Sequence, residues 1–177
     1  MKGTGGFLQP REIIKQLNIR KNSQIADFGC GAGYFTIPLA RIIGEGMVYA
    51  FDVMEQALES VRSRARLEGL FNIETKRCNL EIPGASGLAD NSVDLALLAN
   101  VLFQSSKKAD IIKEAKRILK KGGEAVIIDW QADKPMGPPK DLIVSPEAIK
   151  KIAQDAGLTL KEEFPVDVYH WGMIFVK

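Results

Sequence analysis

The chain has 177 residues, 46% hydrophobic and 26% charged, with a formal net charge of +2. That length predicts a single domain over residues 1–177, and so small a charge gives no reason to expect nucleic-acid binding. No apolar run approaches the roughly 20 residues of a membrane span, no signal-peptide pattern follows Met1, and Cys30 and Cys78 lack metal-ligand or disulfide spacing. We therefore expect a cytoplasmic protein with no membrane segment and no metal site.

Short apolar stretches alternate with amphipathic ones, which predicts strands alternating with helices. Residues 1–9 are mostly small or polar and are expected to form a flexible flap. The helices are predicted over residues 10–17, 34–43, 55–68, 109–119 and 146–157. The strands are predicted over residues 25–28, 47–51, 73–78, 93–98, 124–130, 158–164 and 169–176. In the helix 55–68, the side chains of Ala57, Leu58, Val61, Ala65 and Leu67 are expected to face the core.

This order of elements predicts an α/β fold, a doubly wound sheet of seven mostly parallel strands with helices on both faces. The last two strands have no helix between them, so they are expected to form a hairpin at one edge, with the last strand antiparallel. Ligands of such sheets bind outside the carboxyl ends of the strands. The segments expected to face a ligand are residues 29–33, Asp52, Asn79, 99–104, 129–130 and 165–170.

Residues 24–33 are the most informative stretch, because an apolar strand ends there in three glycines at alternate positions, Gly29, Gly31 and Gly33. Such a turn before a helix brings bare backbone close to a ligand, which predicts a nucleoside-containing cofactor. A dinucleotide turn would read G-x-G-x-x-G, whereas this one reads G-x-G-x-G with Asp27 before it. A carboxylate suits the ammonium and sulfonium of S-adenosylmethionine better than a pyrophosphate.

Asp52 ends the second predicted strand and is placed to accept both hydroxyls of a ribose. This feature does not separate the two cofactor classes, because dinucleotide sites use a similar acidic residue.

Four sequence motifs, in this order along the chain, resemble those of class I S-adenosylmethionine-dependent methyltransferases. The resemblance is strongest to the ubiquinone and menaquinone type (methyltransferase type 11) and its small prokaryotic members. The motifs are Asp27-Phe-Gly-Cys-Gly-Ala-Gly33, Tyr49-Ala-Phe-Asp52, Asp90-Asn-Ser-Val-Asp94 and Leu119-Lys-Lys-Gly-Gly123. The resemblance extends from about Gln9 to the C-terminus. It implies a Rossmann-like fold, S-adenosylmethionine as cofactor and S-adenosylhomocysteine as product.

The resemblance also implies a role for individual residues. The backbone of residues 29–33 would line the methionine part of the cofactor, with Asp27 and the Ala99 carbonyl near its ammonium and Asp52 at the ribose. Val53 and Met54 would pack on the adenine, and Asn79 with the Leu80 backbone would meet its edge. The family more often has Asp at position 79. Cys30 lies within the turn as a small filler.

Candidate residues for binding the methyl acceptor are those expected near the carboxyl edge of the sheet. His170 is the single histidine and is expected near the carboxyl edge, where it is either a catalytic base or a structural residue of the core. Phe103 and Trp130 are either core residues or a wall of the acceptor site. Gln104 either binds the acceptor or caps a turn, and Tyr169 is a further candidate contact.

These observations favour transfer of the sulfonium methyl, by an SN2 step, to a small, partly apolar acceptor. Two alternatives stay open: an RNA or protein methyltransferase that works with a partner, and a non-catalytic cofactor-binding domain. The basic residues between Lys107 and Lys121 are interpreted as a solvated helix face, with an RNA or acidic-protein docking surface as the alternative. The sequence does not predict the oligomeric state.

Overall fold

The computed structural model describes residues 8–177, which form seven strands and five α-helices. The strands are β1 (Gln24–Phe28), β2 (Met47–Asp52), β3 (Ile73–Arg77), β4 (Val93–Ala99), β5 (Leu119–Trp130), β6 (Thr159–Pro165) and β7 (His170–Val176). The helices are α1 (Pro10–Ile14), α2 (Thr36–Ile43), α3 (Glu55–Glu68), α4 (Lys108–Ile118) and α5 (Pro146–Asp155). Short 3-10 turns lie at Leu102–Gln104 and Lys140–Leu142.

The strands form one sheet in the order β3-β2-β1-β4-β5-β7-β6. Strands β3, β2, β1, β4 and β5 pair in parallel, whereas β7 is antiparallel to both β5 and β6. The predicted α/β fold and the antiparallel last strand are therefore confirmed. The pairing of Trp130 with His170 brings the end of β5 and the start of β7 to the same edge. The strand order reverses between β1 and β4, where such sheets bind their ligands.

Two apolar clusters cover the two faces of the sheet. Residues such as Leu98, Ile127 and Phe175 pack against α4 and α5, whereas Ile25 and Leu97 are part of a second cluster with α1 and α2. Strand β4 is buried on both sides, as its nearly continuous apolar sequence requires. The sheet is therefore a rigid support for the loops at its carboxyl edge.

The observed elements differ from the predicted ones in a few places. Strand β5 begins at Leu119 rather than 124, because Leu119 pairs with Val93. The register then shifts before Glu124 pairs with Leu95, and Gly122 has a φ of +78° within this shift. Leu67 is 87% exposed, not inward. It lies two positions after the buried Ala65, which corresponds to about 200° around a helix. Of the predicted flap, residues 1–7 lie outside the described residues, while Leu8 is buried and its carbonyl accepts a 2.6 Å hydrogen bond from the Tyr34 hydroxyl.

Candidate functional site

The glycine turn after β1 is shaped by close packing on one side and open space on the other. Gly29 has φ +67°, and a Cβ there would lie 2.7 Å from Cγ2 of Val101. Gly31 has φ +50°, and a Cβ there would meet nothing within 4 Å. A left-handed backbone with no side chain therefore exposes the peptide at Gly31 to the adjoining space. Gly33 instead packs against α3, where its Cβ would lie 3.1 Å from Val61.

Asp52, at the end of β2, joins the glycine turn to the start of α3. Its Oδ2 accepts a 2.9 Å hydrogen bond from the Gly31 N–H, and its Oδ1 accepts one of the same length from the Met54 N–H. Each carboxylate oxygen can accept two hydrogen bonds, so both retain capacity for a ligand's hydroxyl groups. The two backbone bonds hold the carboxylate at the edge of the turn.

Asp27 and Cys30 lie beneath the turn rather than at its surface. The Asp27 carboxylate is 2% exposed and accepts a 2.5 Å hydrogen bond from the Thr36 hydroxyl. Burial raises the pKa of Asp27 to about 6 and also raises the pKa of the Cys30 thiol, which stays protonated. The Cys30 N–H donates to the Phe51 carbonyl at 2.9 Å, so it is not available to a ligand.

A cavity of about 390 Å³ opens beside the turn, at the carboxyl ends of β1, β2 and β4. It is lined by Gly29, Gly31, Asp52, Val53, Met54, Ala57, Cys78, Asn79, Leu80, Glu81, Val101, Gln104, Ser105 and Ile111. Most of the residues that the sequence predicts for the cofactor are among them. Those that do not line it are Asp27, Cys30, Gly33 and Ala99. Val101 and Gln104 belong to the segment 99–104 that was expected to face a ligand. The sequence analysis missed Ala57 and Ile111, because they have no chemical signature and lie on helices that only the fold brings together.

The far wall of the cavity is a polar bridge between two loops. The Ser105 hydroxyl donates a 2.6 Å hydrogen bond to Oε1 of Glu81. Asn79 accepts a 3.0 Å bond from the Glu81 N–H on its own Oδ1, and its Nδ2 has no hydrogen-bond partner among residues 8–177. Asn79 and Glu81 both line the cavity, and Glu81 is the acidic group of this wall. The sequence feature that could have indicated Glu81 is its position two residues after Asn79, which was already expected to face the ligand.

The predicted acceptor residues lie around the ends of β4 and β5. The buried Asp129 accepts hydrogen bonds from the backbone N–H of Phe103 at 3.1 Å and of Trp130 at 2.8 Å. Burial raises the pKa of Asp129 to about 6. Gln104 is exposed and donates to the Asn100 carbonyl at 2.9 Å, so it joins this region to the cavity that it also lines.

His170 is 2% exposed and both of its ring nitrogens are engaged within the protein. Its Nδ1 lies 2.9 Å and 3.0 Å from the two carboxylate oxygens of Asp167. Its Nε2 lies 3.2 Å from Nδ2 of Asn100, and its ring centroid is 4.2 Å from that of Trp130. This geometry leaves His170 no free nitrogen for a substrate. The neighbouring Tyr169 is half-buried at the same loop, where its N–H donates to Asp167 at 2.7 Å.

A second cavity, an open groove of about 490 Å³, lies along the β6–β7 hairpin. It is lined by Gln131, Pro146, Glu163, Phe164, Pro165, Val166, Asp167, Val168, His170, Trp171, Gly172 and Met173. His170 borders this groove, and its partner Asn100 directly precedes Val101, which lines the first cavity. The contact between His170 and Asn100 therefore lies between the two cavities.

Three of the basic residues on and around α4 are paired with acidic residues. Lys113 lies 3.8 Å from Asp110, and Lys120 lies 2.9 Å from Asp94. Arg117 pairs with Asp90 at 2.6 Å. These pairs match the interpretation of a solvated, charge-balanced helix face. Within residues 8–177 there is neither a cluster of three potential metal ligands nor a helix long and apolar enough to cross a membrane.

The chain was compared with known protein families, sequences and structures. The family model described as a methyltransferase domain matches residues 19–163. A demethylmenaquinone methyltransferase of Geobacillus stearothermophilus is 28% identical over 121 residues, which is 67% of this chain and 50% of that protein. One from Listeria welshimeri is 30% identical over the same shares. The chain thus spans about half the length of the curated relatives that it matches.

Among solved structures, an S-adenosylmethionine-dependent methyltransferase from Aquifex aeolicus superposes with a TM-score of 0.85 at 28% identity. The match covers 95% of this chain and 89% of that protein. The chain belongs to the methyltransferase domain family and has the class I fold of S-adenosylmethionine-dependent methyltransferases.

Proposed function

We propose that this chain binds S-adenosylmethionine in the 390 Å³ cavity and transfers its methyl group to a small, partly apolar acceptor. The observation that carries the proposal is the combination at one sheet edge of an exposed glycine turn, a carboxylate with unused acceptor capacity and apolar side chains. Asp52 would accept the ribose hydroxyls, and Gly29 and Gly31 would face the methionine part. Val53 and Met54, both more than half exposed, would pack on the adenine.

The polar wall of the cavity suits the edge of an adenine. The free Nδ2 of Asn79 can donate to a ring nitrogen, and the Glu81 carboxylate can accept from the exocyclic amine. Asp27 is buried below the turn, where an ionised carboxylate would attract the ammonium of the methionine part without touching it. These residues fit a cationic nucleoside better than a pyrophosphate.

When bound, S-adenosylmethionine supplies an electrophilic sulfonium methyl group and leaves as S-adenosylhomocysteine. The contribution of the protein is positioning and the exclusion of water. The groove along the β6–β7 hairpin is the candidate site for the acceptor, since its lining includes Phe164, Pro165, Val166 and Trp171. The relatives named as acting on demethylmenaquinone support a small molecule as acceptor.

The test has two parts. In calorimetry, we expect the chain to bind S-adenosylmethionine and S-adenosylhomocysteine, and failure to bind either would refute the proposal. A labelled methyl group is then offered to the metabolite, RNA and protein fractions of the same cell. Label in the small-molecule fraction supports the proposal, whereas label confined to RNA or protein would contradict it. Binding of both cofactors without transfer to any fraction would indicate a non-catalytic domain.

A further inference from the structure

Two buried polar side-chain atoms have no hydrogen-bond partner among residues 8–177. They are Oδ1 of Asn100, an acceptor, and Nε1 of Trp130, a donor. Buried polar groups are nearly always paired, so an unpaired donor and an unpaired acceptor indicate something that the folded chain itself does not supply. The other indole of the protein shows the usual situation, because Nε1 of Trp171 donates to the Trp130 carbonyl at 3.0 Å.

Both unpaired groups belong to side chains that contact His170. Asn100 approaches Nε2 of the ring with its Nδ2 at 3.2 Å, and Trp130 packs on the ring with a centroid separation of 4.2 Å. Asn100 is also one of the few residues other than glycine with a positive φ, +56°, directly after β4. Its backbone N–H donates to the Ile128 carbonyl at 2.8 Å, which ties it to the end of β5. The donor and the acceptor therefore flank one imidazole, which borders the groove along the β6–β7 hairpin.

The hydrogen bonds of His170 determine which atom of Asn100 is free. The Asp167 carboxylate can only accept, so Nδ1 of His170 carries the hydrogen. In the neutral imidazole Nε2 is then an acceptor, and Nδ2 of Asn100 must donate to it. The chain Asp167–His170–Asn100 thus orients the amide and leaves its oxygen unpaired. His170 and Asp167 act through Asn100 and are positioning residues.

We propose that Asn100 and Trp130 together bind a hydroxyl group of the methyl acceptor, which donates to Oδ1 of Asn100 and accepts from Nε1 of Trp130. The inference rests on the proposed methyl transfer. A hydroxyl both donates and accepts, so it can satisfy both atoms at once, as a buried water also can, whereas an ether or a carbonyl satisfies the indole alone.

The surroundings indicate an acceptor with an apolar body. Gly137 lies so close to Trp130 that a Cβ there would be 3.1 Å from the benzo ring, so the loop 131–144 packs against this indole. The groove that His170 borders has apolar lining from Phe164, Val166 and Trp171 and a volume of about 490 Å³, enough for a bicyclic ring system. The chemical class is therefore a hydroxyl compound with an apolar body that this groove can hold.

The test uses the two indole N–H resonances of the full chain saturated with S-adenosylhomocysteine. On addition of 2-naphthol we expect the Trp130 resonance to move downfield, because its N–H gains a partner, while the Trp171 resonance stays in place. The variant Trp130→Phe assigns the signal and removes the donor but keeps a ring. The ether 2-methoxynaphthalene, which cannot donate, is expected to bind about three- to tenfold more weakly than the naphthol.

Asn100→Gly, which tolerates the positive φ, is expected to abolish this preference for the naphthol. His170→Phe is expected to reduce it, because the amide is no longer oriented, and a merely structural role would leave the ratio of the two affinities unchanged. Equal affinities in the parent chain, a shift of Trp171 instead of Trp130, or no binding of the naphthol at millimolar concentration would each overturn the hydroxyl site. Because S-adenosylhomocysteine binding is measured separately, those results leave the proposed methyl transfer intact, whereas loss of that binding removes both.

Discussion

Replacing Asp52 by alanine removes the one carboxylate that is bonded both to the glycine turn and to the start of α3. A ribose hydroxyl bonded to a carboxylate contributes about 1.5–3 kcal/mol, and 1.4 kcal/mol corresponds to a factor of ten. We therefore expect Asp52→Ala to weaken S-adenosylmethionine binding by about 10- to 150-fold. Because Asp52 is half-buried, the N–H groups of Gly31 and Met54 can donate to water in the variant. The loss in free energy of unfolding is therefore expected to be smaller than the loss in free energy of cofactor binding.

Calorimetric titration of the purified variants measures this effect. Asp52→Asn keeps one acceptor oxygen without the charge, and its affinity is expected to lie between those of the parent chain and the alanine variant. Asp94→Asn is the matched control. Asp94 also accepts hydrogen bonds, from the Gln24 N–H at 2.8 Å and from Lys120 at 2.9 Å, but it lies at the opposite end of β4. Unchanged affinity in Asp52→Ala, or an equal loss in Asp94→Asn, would refute the assignment of the ribose to Asp52.

Three further predictions concern the turn and the loops around it. Burial raises the pKa of Asp27 to about 6, and a cofactor cation would favour its charged form. Cofactor binding would then release a proton from Asp27. The affinity for S-adenosylmethionine should therefore rise by up to about tenfold per pH unit between pH 5 and 6 and level off above pH 6. In calorimetry, the affinity of Asp27→Asn should not change with pH in this way. Gly29→Ala should lower the melting temperature by roughly 5 °C or more, because its Cβ would lie 2.7 Å from Val101. Gly31→Ala, with open space around it, should lose less stability and more cofactor affinity; the opposite ranking would contradict the proposed turn. Burial alone would raise the pKa of Glu114, but hydrogen bonds from Arg117, Ser86 and Gly84 lower it to about 2. The stability that the ionised Glu114 contributes is thus present above about pH 4.5 and is lost as the pH falls toward 2. In denaturant titration, Glu114→Gln should lose less stability between those two pH values than the parent chain does. At pH 7 the substitution itself should cost about 2–3 kcal/mol.

Much of the fold follows from local patterns in the sequence. The apolar run of β4 and the amphipathic repeat of α4 each predict their element to within one or two residues, because burial on both faces or on one face restricts which residues fit. The predicted ends of an element were wrong where pairing with residues distant in sequence determines where the element begins. The first half of β5 joins the sheet because Leu119 pairs with Val93 and the Gly122 N–H donates to the Lys177 carbonyl, and both partners are more than 20 residues away.

The cofactor side of the site was predictable to a similar degree. Gly29, Gly31 and Asp52 stand at strand ends, and the sheet brings strand ends together whatever the loops do. The sequence could not show that the carboxylate of Asp27 lies below the turn, because the side-chain direction depends on its bond to Thr36 on the next helix. Nor could it show that Asn79 uses its oxygen on the Glu81 N–H and leaves Glu81 as the acidic group of the wall.

The sequence by itself determined the class of the protein: a strand, a G-x-G-x-G turn and an acidic residue after the next strand are local features with a direct chemical meaning. Only the tertiary structure decided what surrounds His170. Asp167, Asn100 and Trp130 reach that ring from three different loops or strand ends, and their hydrogen bonds fix which atoms remain free. The donor and acceptor left over beside it, on which recognition of the methyl acceptor is proposed to depend, arise from that assembly and from no single stretch of the chain.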